Sequence, residues 1–234
     1  VLTMGGLEVE EMAPAAPAFT GVVVGEIIEC NKHPDADKLN VCKVNIGQAE
    51  PLQIVCGAPN ARVGIRVPCA TVGAVLPGDF KIKNAKLRGV ASSGMLCSAK
   101  ELGINPDASG LYELPASGDN AAPVGEDIRS YLNLNDTVYT IKLTPNRADC
   151  LSVRGVARDV CALVGGEKAV SLTPLVIEPV APNCDATLPI RIDAPTACGR
   201  FTGRGIKNLT GAAPHPQGRV QRWERAGPGP IPGL

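Results

Sequence analysis

The sequence predicts an α+β, multidomain protein built around a small β-barrel. Between residues 19 and 128, about five short segments alternate apolar and polar residues, and turns rich in Gly and Pro separate them. The segments on either side, 1–18 and 129–182, combine strand and helix patterns, and a further segment of the same mixed kind begins at residue 183. These three observations divide the chain into a barrel, the two flanking halves of a small α/β domain, and the start of another α/β domain.

The barrel segment has its strands at nearly regular spacing. Gly21 and Gly25 allow a bend or bulge in the first strand, and Pro68 fits an edge or a bulge in the fourth. A five-stranded OB-fold is the leading candidate, with one helical turn near its end. The predicted strands are 19–30, 39–46, 52–56, 65–71 and a return into strand near 79–82, with a short piece at 95–97 and the helical turn at 99–103.

The flanks predict a strand in residues 1–12, a proline-containing linker, and a helix over Val153–Leu163 that Asp149 or Ser152 caps. We expect residues 1–18 and 129–182 to pack together, because each is too small to bury a core alone. Further predicted strands are 137–143, 188–192 and 199–206. The tail from Thr210 is rich in Gly, Pro and Arg, and only 217–226 suggests a helix, so we expect this tail to be disordered.

Composition excludes several classes of protein. No apolar run approaches the roughly 20 residues of a membrane span, and no signal-peptide pattern is present. The 9 cysteines include no CxxC pair, and several lie in apolar runs, which indicates small buried side chains and no zinc site. The motifs GxSxG, Walker A and GxGxxG are absent, so no catalytic residue is predicted. The chain begins in what looks like mid-element sequence, so we expect a fragment.

The most distinctive stretch is basic. Lys81, Lys83, Lys86 and Arg88 lie within eight positions, and no acidic residue occurs between Asp79 and Glu101. Phosphate is the natural partner of such a stretch, although charge alone leaves a solvated hairpin equally open. Residues 21–128 carry 10 Lys+Arg against 12 Asp+Glu, so nucleic acid would meet a local patch and not a basic domain. The scarcity of aromatic residues, 3% of the chain, favours recognition of RNA shape and backbone over stacking.

Three segments then carry a resemblance to a known family. The order GVVVGEIIECNKHPDADKLNVCKVNIG, IVCGAPNARVG and KIKNAKLRGVASSGMLCSAKELGI closely resembles the tRNA-binding domain of several translation proteins. The flanking LTMGGLEVEEM and VYTIKLTPNRADCLSVRGVARDVCALVGG resemble the two halves of the domain that this barrel interrupts in bacterial phenylalanyl-tRNA synthetase beta subunits. Residues 188–209 resemble the beginning of that subunit's editing domain.

The resemblance implies a tRNA-binding part of a cytoplasmic ligase that joins phenylalanine to its tRNA for protein biosynthesis. It implies an α₂β₂ assembly with the alpha subunit, which holds the aminoacylation site, and it implies ATP and magnesium for the whole enzyme. No cofactor, metal site or membrane contact is expected in this segment. The predicted RNA-binding residues are Asn60, Arg62, Lys81, Lys83, Lys86, Arg88, Ser93, Met95 and Lys100. Two alternatives stay open: a free-standing tRNA-binding or chaperone-like OB-fold homodimer, and a structural docking module.

Overall fold

The structure is a computed structural model, and it describes residues 1–118, 121–165, 172–174, 176–208, 220, 222–223 and 225–226. The chain divides into two compact units. The larger unit contains residues 9–141 and the described residues between 220 and 226, and the smaller contains residues 1–8 and 142–208. Among the described residues, no helix combines the length and the apolar character that crossing a membrane requires.

Most strands lie where the alternation of apolar and polar residues predicts them. In chain order the elements are β1 (Glu8–Pro14), β2 (Thr20–His33), β3 (Ala36–Asn45), β4 (Leu52–Cys56), β5 (Arg66–Leu76), β6 (Phe80–Lys81), β7 (Ala85–Leu87), β8 (Val90–Ser92), β9 (Met95–Leu96), α1 (Ile128–Tyr131), β10 (Thr137–Lys142) and α2 (Val153–Val164). Short 3₁₀ turns occupy Thr3–Gly5 and Ala148–Cys150.

The larger unit is built on one antiparallel sheet. Its strands follow the order β4-β3-β2-β5-β6, and β9 pairs with β5. The segment leading into β9 also reaches the other end of this path, because the Ser93 amide donates to the Gln53 carbonyl on β4 at 2.8 Å. Residues 93–97 therefore connect β4, at one end of the sheet path, with β5.

Two unusual residues in the sheet have clear physical reasons. Gly21 has φ 73° at a register shift between β2 and β5, which is the predicted bulge. Pro68, in contrast, lies between β2 and β9, so the prediction of an edge or bulge is wrong. Its carbonyl accepts from the Cys97 amide at 2.9 Å, and the Cys97 carbonyl accepts from the Tyr112 amide at 3.1 Å. Tyr112 thus satisfies the carbonyl that an N–H at position 68 would have faced.

Apolar residues cover both faces of this sheet. On one face, Ile27, Val44, Ile54 and Val67 form a core of fully buried side chains together with their neighbours. The other face packs against residues 97–134, which cover the following buried side chains of β2 and β5: Val22, Val24, Ala70, Ala74 and Leu76. The sheet is therefore packed on both sides, although parts of β2 and β3 still face solvent.

Residues before the barrel segment contact residues after it, as we expect for two segments that are each too small to bury a core alone. β1 and β10 pair in a two-stranded sheet, and the Ala15 amide donates to the Asp136 carbonyl at 2.9 Å. In the smaller unit, a Cβ added at Gly5 would overlap the side chain of Leu163. The prediction that residues 1–18 pack with residues 129–182 is confirmed at these places, while residues 166–171 and 175 lie outside the described residues.

α2 begins where its sequence predicts. The Ser152 hydroxyl, and not Asp149, caps it by accepting from the Gly155 amide at 3.0 Å. Gly155 is buried, and a Cβ there would overlap the carbonyl oxygen of Asp149. The glycine therefore allows the 3₁₀ turn to lie against the first turn of the helix.

The strands predicted at 188–192 and 199–206 do not form, and this prediction is wrong. Both segments are irregular, and their large apolar residues are exposed, with Leu188 at 82% and Ile206 at 70%. A strand needs a hydrogen-bonded neighbour, and none lies beside these segments in the described part of the chain. Most of the tail from Thr210 lies outside the described residues. Within it, Arg225 donates to the carbonyls of Leu132 and Asn133 at 3.0 and 2.7 Å.

Candidate nucleic-acid interface

A hollow of about 860 Å³ opens beside the basic stretch of the larger unit. Its walls come from the end of β4, from β6 and the chain that follows, from β9, and from the loop at 108–111. The side chains that give it chemical character are three lysines, one glutamate and three large apolar groups: Lys81, Lys83, Lys100, Glu101, Phe80, Leu87 and Met95. Four predicted RNA-binding residues, Lys81, Lys83, Met95 and Lys100, therefore meet at one place.

The cations of the basic stretch are available to an outside anion. Lys81, Lys83, Lys86, Arg88 and Lys100 are all exposed. Within the described residues, none of the five is ion-paired with a carboxylate. Exposed, unpaired cations around a concave surface raise the local concentration of anions such as phosphates.

Lys86 and Arg88 lie on a hairpin at one side of the hollow. β7 and β8 pair antiparallel, and the two-residue turn between them has φ 43° at Arg88 and φ 88° at Gly89. Two positive φ values are typical of a type I′ hairpin turn, and a non-glycine residue there is uncommon. Because side chains alternate along a strand, Lys86 faces away from Leu87, and Leu87 lines the hollow.

His33 fastens this hairpin to the sheet. The ring is buried, its Nδ1 accepts from the Asp35 amide at 3.1 Å, and its Nε2 lies 3.1 Å from the Leu87 carbonyl. Since the amide can only donate to Nδ1, the proton is on Nε2, which donates to Leu87. Through Nδ1 the ring also stabilises its own turn, residues 33–36. Its contact with a residue 54 positions away could not be found from the sequence, which contains no local signal for it.

Asn60 and Arg62 are occupied by the protein itself. Asn60 accepts from the Leu111 amide at 2.8 Å and donates to the Leu111 carbonyl at 3.0 Å, which fixes the loop that walls the hollow. Arg62 forms two parallel hydrogen bonds with Glu113, at 2.7 and 2.6 Å. This guanidinium holds the pKa of the Glu113 carboxyl below its ordinary value. RNA contacts of Asn60 and Arg62 stay a prediction. The structure supports them less than it supports contacts of the lysines, because both side chains already bind other parts of the protein.

Ser93 and Met95 are partly buried at the join between β4 and β9. The amide of Ser93 is used by β4, and Met95 pairs with Ala70 on β5. The neighbouring Ser92 hydroxyl is buried and accepts from the Val55 amide at 3.1 Å. The stretch 90–96 is therefore largely strand, and it shapes one wall of the hollow.

The electrostatic features of the site suit binding and not covalent chemistry. Cys56 lines the hollow, and burial raises the pKa of its thiol. Burial also raises the pKa of Cys42 and of Cys69, which lie in the same core, to about 12. Thiols that stay protonated are poor nucleophiles and poor metal ligands.

Glu101, the acidic side chain in the lining of the hollow, is bound to Ser98. Its carboxylate accepts from the Ser98 amide at 2.6 Å, and the Ser98 hydroxyl accepts from the Glu101 amide at 3.3 Å, which is the reciprocal arrangement of a capping box.

The smaller unit holds a separate cluster of possible metal ligands. Asp149, Cys150 and Asp159 lie close together, and among the described residues no other group of this kind occurs. The guanidinium of Arg147 fills the cluster, with distances of 3.2 Å to Asp149 and 2.5 Å to Asp159. Arg147 lowers the pKa of the Asp149 carboxyl. This arrangement is an arginine-centred ion cluster and does not fit a magnesium ion.

Comparisons with known proteins find a match that includes the residues of the hollow. Residues 22–123 match the family model described as "Putative tRNA binding domain". The chain is 57% identical over 227 residues to the phenylalanine–tRNA ligase beta subunit of Chromobacterium violaceum, covering 97% of this chain and 28% of the relative. It is 59% identical over 227 residues to the corresponding subunit of Aromatoleum aromaticum, with the same coverage of both proteins.

Among solved structures, the chain resembles the C-terminal domain of Plasmodium vivax p43. The identity is 25%, the match covers 44% of this chain and 56% of that one, and the TM-score is 0.32, too low to support a structural inference. The matches to the curated relatives carry the assignment, and the chain spans 28% of their length. The chain is therefore similar to phenylalanine–tRNA ligase beta subunits over nearly its whole length, as the sequence resemblance predicted, and its residues 22–123 match the model of the tRNA-binding domain.

Proposed function

We propose that residues 19–128 form an OB-fold barrel that binds tRNA through a basic rim. This rim consists of the five exposed cations in and beside the hollow: Lys81, Lys83, Lys86, Arg88 and Lys100. The barrel is supported by the antiparallel strand path and by residues 93–97, which hydrogen-bond to β4 at one end and to β5 at the other. In OB-folds, one face of the barrel and the loops beside it bind nucleic acid, and the hollow lies among such loops here.

The main support for tRNA binding is the set of five exposed cations without carboxylate partners in the described part of the chain. In the same sheet, Lys43, Arg62 and Arg66 are paired with Glu29, Glu113 and Glu26. Lys32 and Lys38 are exposed and, within the described residues, likewise have no carboxylate partner, so the rim differs from them by the concentration of its cations within residues 81–100. The basic rim therefore keeps its charge for an external partner. Because phosphate contacts supply most of the affinity for nucleic acid, this rim is suited to the backbone of a folded RNA.

The test is tRNA binding by fluorescence anisotropy across a range of salt concentrations. The variant replaces all five cations of the rim by Gln: Lys81, Lys83, Lys86, Arg88 and Lys100. We expect weaker binding, with the slope of log K against log salt falling by about 0.7–0.9 for each phosphate that the variant no longer neutralises. Lys43→Gln is the matched control, because it also removes an exposed charge, although one that already has a partner.

Equal affinity and equal slope for the rim variant and the control would contradict the proposal. If the unaltered protein binds no tRNA even at low salt, the structural docking module becomes the better account. A stable dimer of the chain in sedimentation, with tRNA bound to the dimer, would favour the free-standing homodimer.

Beyond tRNA binding, the domain layout and the enzyme context are also proposals. Residues 1–18 and 129–182 would form one small α/β domain that the barrel interrupts, and residues 183–234 would begin an editing-type domain. The whole protein would be the beta subunit of a cytoplasmic α₂β₂ phenylalanine–tRNA ligase that uses ATP and magnesium. The high identity to beta subunits supports this context.

A further inference from the structure

We propose that the hollow takes one unstacked RNA base, with Phe80 as its stacking surface and the surrounding lysines on the adjoining phosphates. This inference rests on the proposed tRNA binding and adds the chemical group that the site selects: a base displayed outside a helix. A double helix covers the faces of its bases by stacking, so only a base from a loop or a strand end can offer its face to Phe80.

The apolar lining is the first argument. Phe80 is 58% exposed and Leu87 is 41% exposed, and both line the hollow together with the partly buried Met95. Scattered exposed apolar side chains are common, but two that converge with a partly buried third on one concave surface are typical of a ligand site. Phe80 is the aromatic residue of this lining, so the hollow offers one stacking surface and not a row of them.

The position of the cations is the second argument. Three lysines line the hollow together with Phe80: Lys81 and Lys83 from the segment that follows it, and Lys100 from another segment. Any RNA base carries phosphates on both sides through its sugar, so a base on Phe80 brings phosphates near these ammonium groups. The arrangement of an aromatic face among cations is the usual one for binding single-stranded nucleic acid.

Size is the third argument. The hollow measures about 860 Å³, and sites for small molecules have volumes of about 300–1,000 Å³. The hollow is therefore large enough for one nucleotide. Two of its sides are held in place, because the hydrogen bonds of Asn60 hold the 108–111 loop and the bond from His33 to Leu87 holds the hairpin.

The test compares two RNA probes with equal numbers of phosphates. One is a six-nucleotide adenylate strand, and the other is the same ribose-phosphate strand without bases, so that electrostatic attraction to the lysines is similar for both. The variants are Phe80→Leu, which removes the stacking face, and Phe80→Trp, which keeps one. Phe201→Leu is the matched control, because Phe201 is also exposed, at 64%, but belongs to the smaller unit.

We expect Phe80→Leu to weaken binding of the adenylate strand about fivefold or more, and Phe80→Trp and Phe201→Leu to leave it unchanged. The unaltered protein should prefer the adenylate strand by a similar factor, and Phe80→Leu should bind both strands equally. Thermal unfolding of each variant would be measured to check that the larger unit is still folded.

Two outcomes would overturn the inference, and they separate it from the proposed function. If Phe80→Leu still prefers the adenylate strand as the unaltered protein does, while tRNA binding depends on the lysines, the base pocket is wrong and tRNA binding stands. If neither tRNA nor the adenylate strand binds at low salt, both proposals fail together.

Discussion

Replacing His33 should loosen the hairpin that carries Lys86 and Arg88 without touching any cation. The ring is only 4% exposed, and it joins the Asp35 amide to the Leu87 carbonyl through two hydrogen bonds of 3.1 Å. His33→Leu replaces the ring by an apolar side chain of similar size and removes both hydrogen bonds. A hydrogen bond contributes about 0.5–1.5 kcal/mol, so the two together predict a decrease of about 1–3 kcal/mol in unfolding free energy.

The effect on the hairpin itself is smaller and more specific. Within the described residues, the bond to the Leu87 carbonyl tethers the β7 end of the hairpin to this turn, while Gln53 and Val55 on β4 hold the β8 end through Ala91 and Ser92. Local opening at the β7 end therefore becomes easier by about 0.5–1.5 kcal/mol. Amide hydrogen exchange in residues 85–92 should therefore be about 2- to 10-fold faster, and tRNA affinity should fall because the hairpin cations are less well placed.

The control is Asn31→Leu, which introduces the same side chain at an exposed position of β2. Hydrogen exchange followed by mass spectrometry measures residues 85–92 in both variants and in the unaltered protein. Unchanged exchange in His33→Leu, with the rest of the larger unit equally protected, would show that the ring does not hold the hairpin and would refute the reasoning.

Three further predictions concern stability and chemistry elsewhere in the chain. Gly155→Ala should cost about 1–3 kcal/mol in urea unfolding, because the added Cβ overlaps a backbone carbonyl; an unchanged midpoint would contradict this packing. The pKa of Glu113 is lowered by Arg62, so the pair stabilises the protein above the ordinary carboxyl pKa of 4.5, and this stabilisation disappears as pH falls below it. Thermal midpoints between pH 6 and pH 3 should therefore fall less in Arg62→Gln. In thiol labelling at pH 8, Cys184 should react at once and the buried Cys69, with its pKa raised to about 12, only on unfolding; equal rates would contradict the burial.

Much of the larger unit could be predicted because its signals are local. β4 matches its predicted bounds, since apolar residues run directly up to Gly57. Ser152 could be named as a helix cap because the pattern that follows it has helical spacing. The clustering of Lys81 and Lys83 is visible in the sequence, and the structure adds only the hollow that they surround.

What could not be predicted depends on contacts between distant residues. Glu113, which pairs with Arg62, lies 51 positions away, so the sequence around Arg62 gives no sign of the ion pair that the structure has. Phe80 is one of few aromatic residues in the sequence, and only the fold places it at a cavity wall. Residues 188–192 alternate as a strand would, but alternation describes only the fit of side chains to a sheet and cannot supply the neighbouring strand.

The most direct test of tRNA binding at the basic rim is a residue-by-residue map of the protein surface that tRNA touches. Amide chemical shifts of the isotope-labelled chain would be recorded by NMR as tRNA is added at low salt. We expect the largest changes in residues 80–100, with smaller ones at 57–59 and 108–111, where the walls of the hollow lie. Changes concentrated elsewhere, with residues 80–100 unaffected, would contradict the claim that this rim is the tRNA-binding surface.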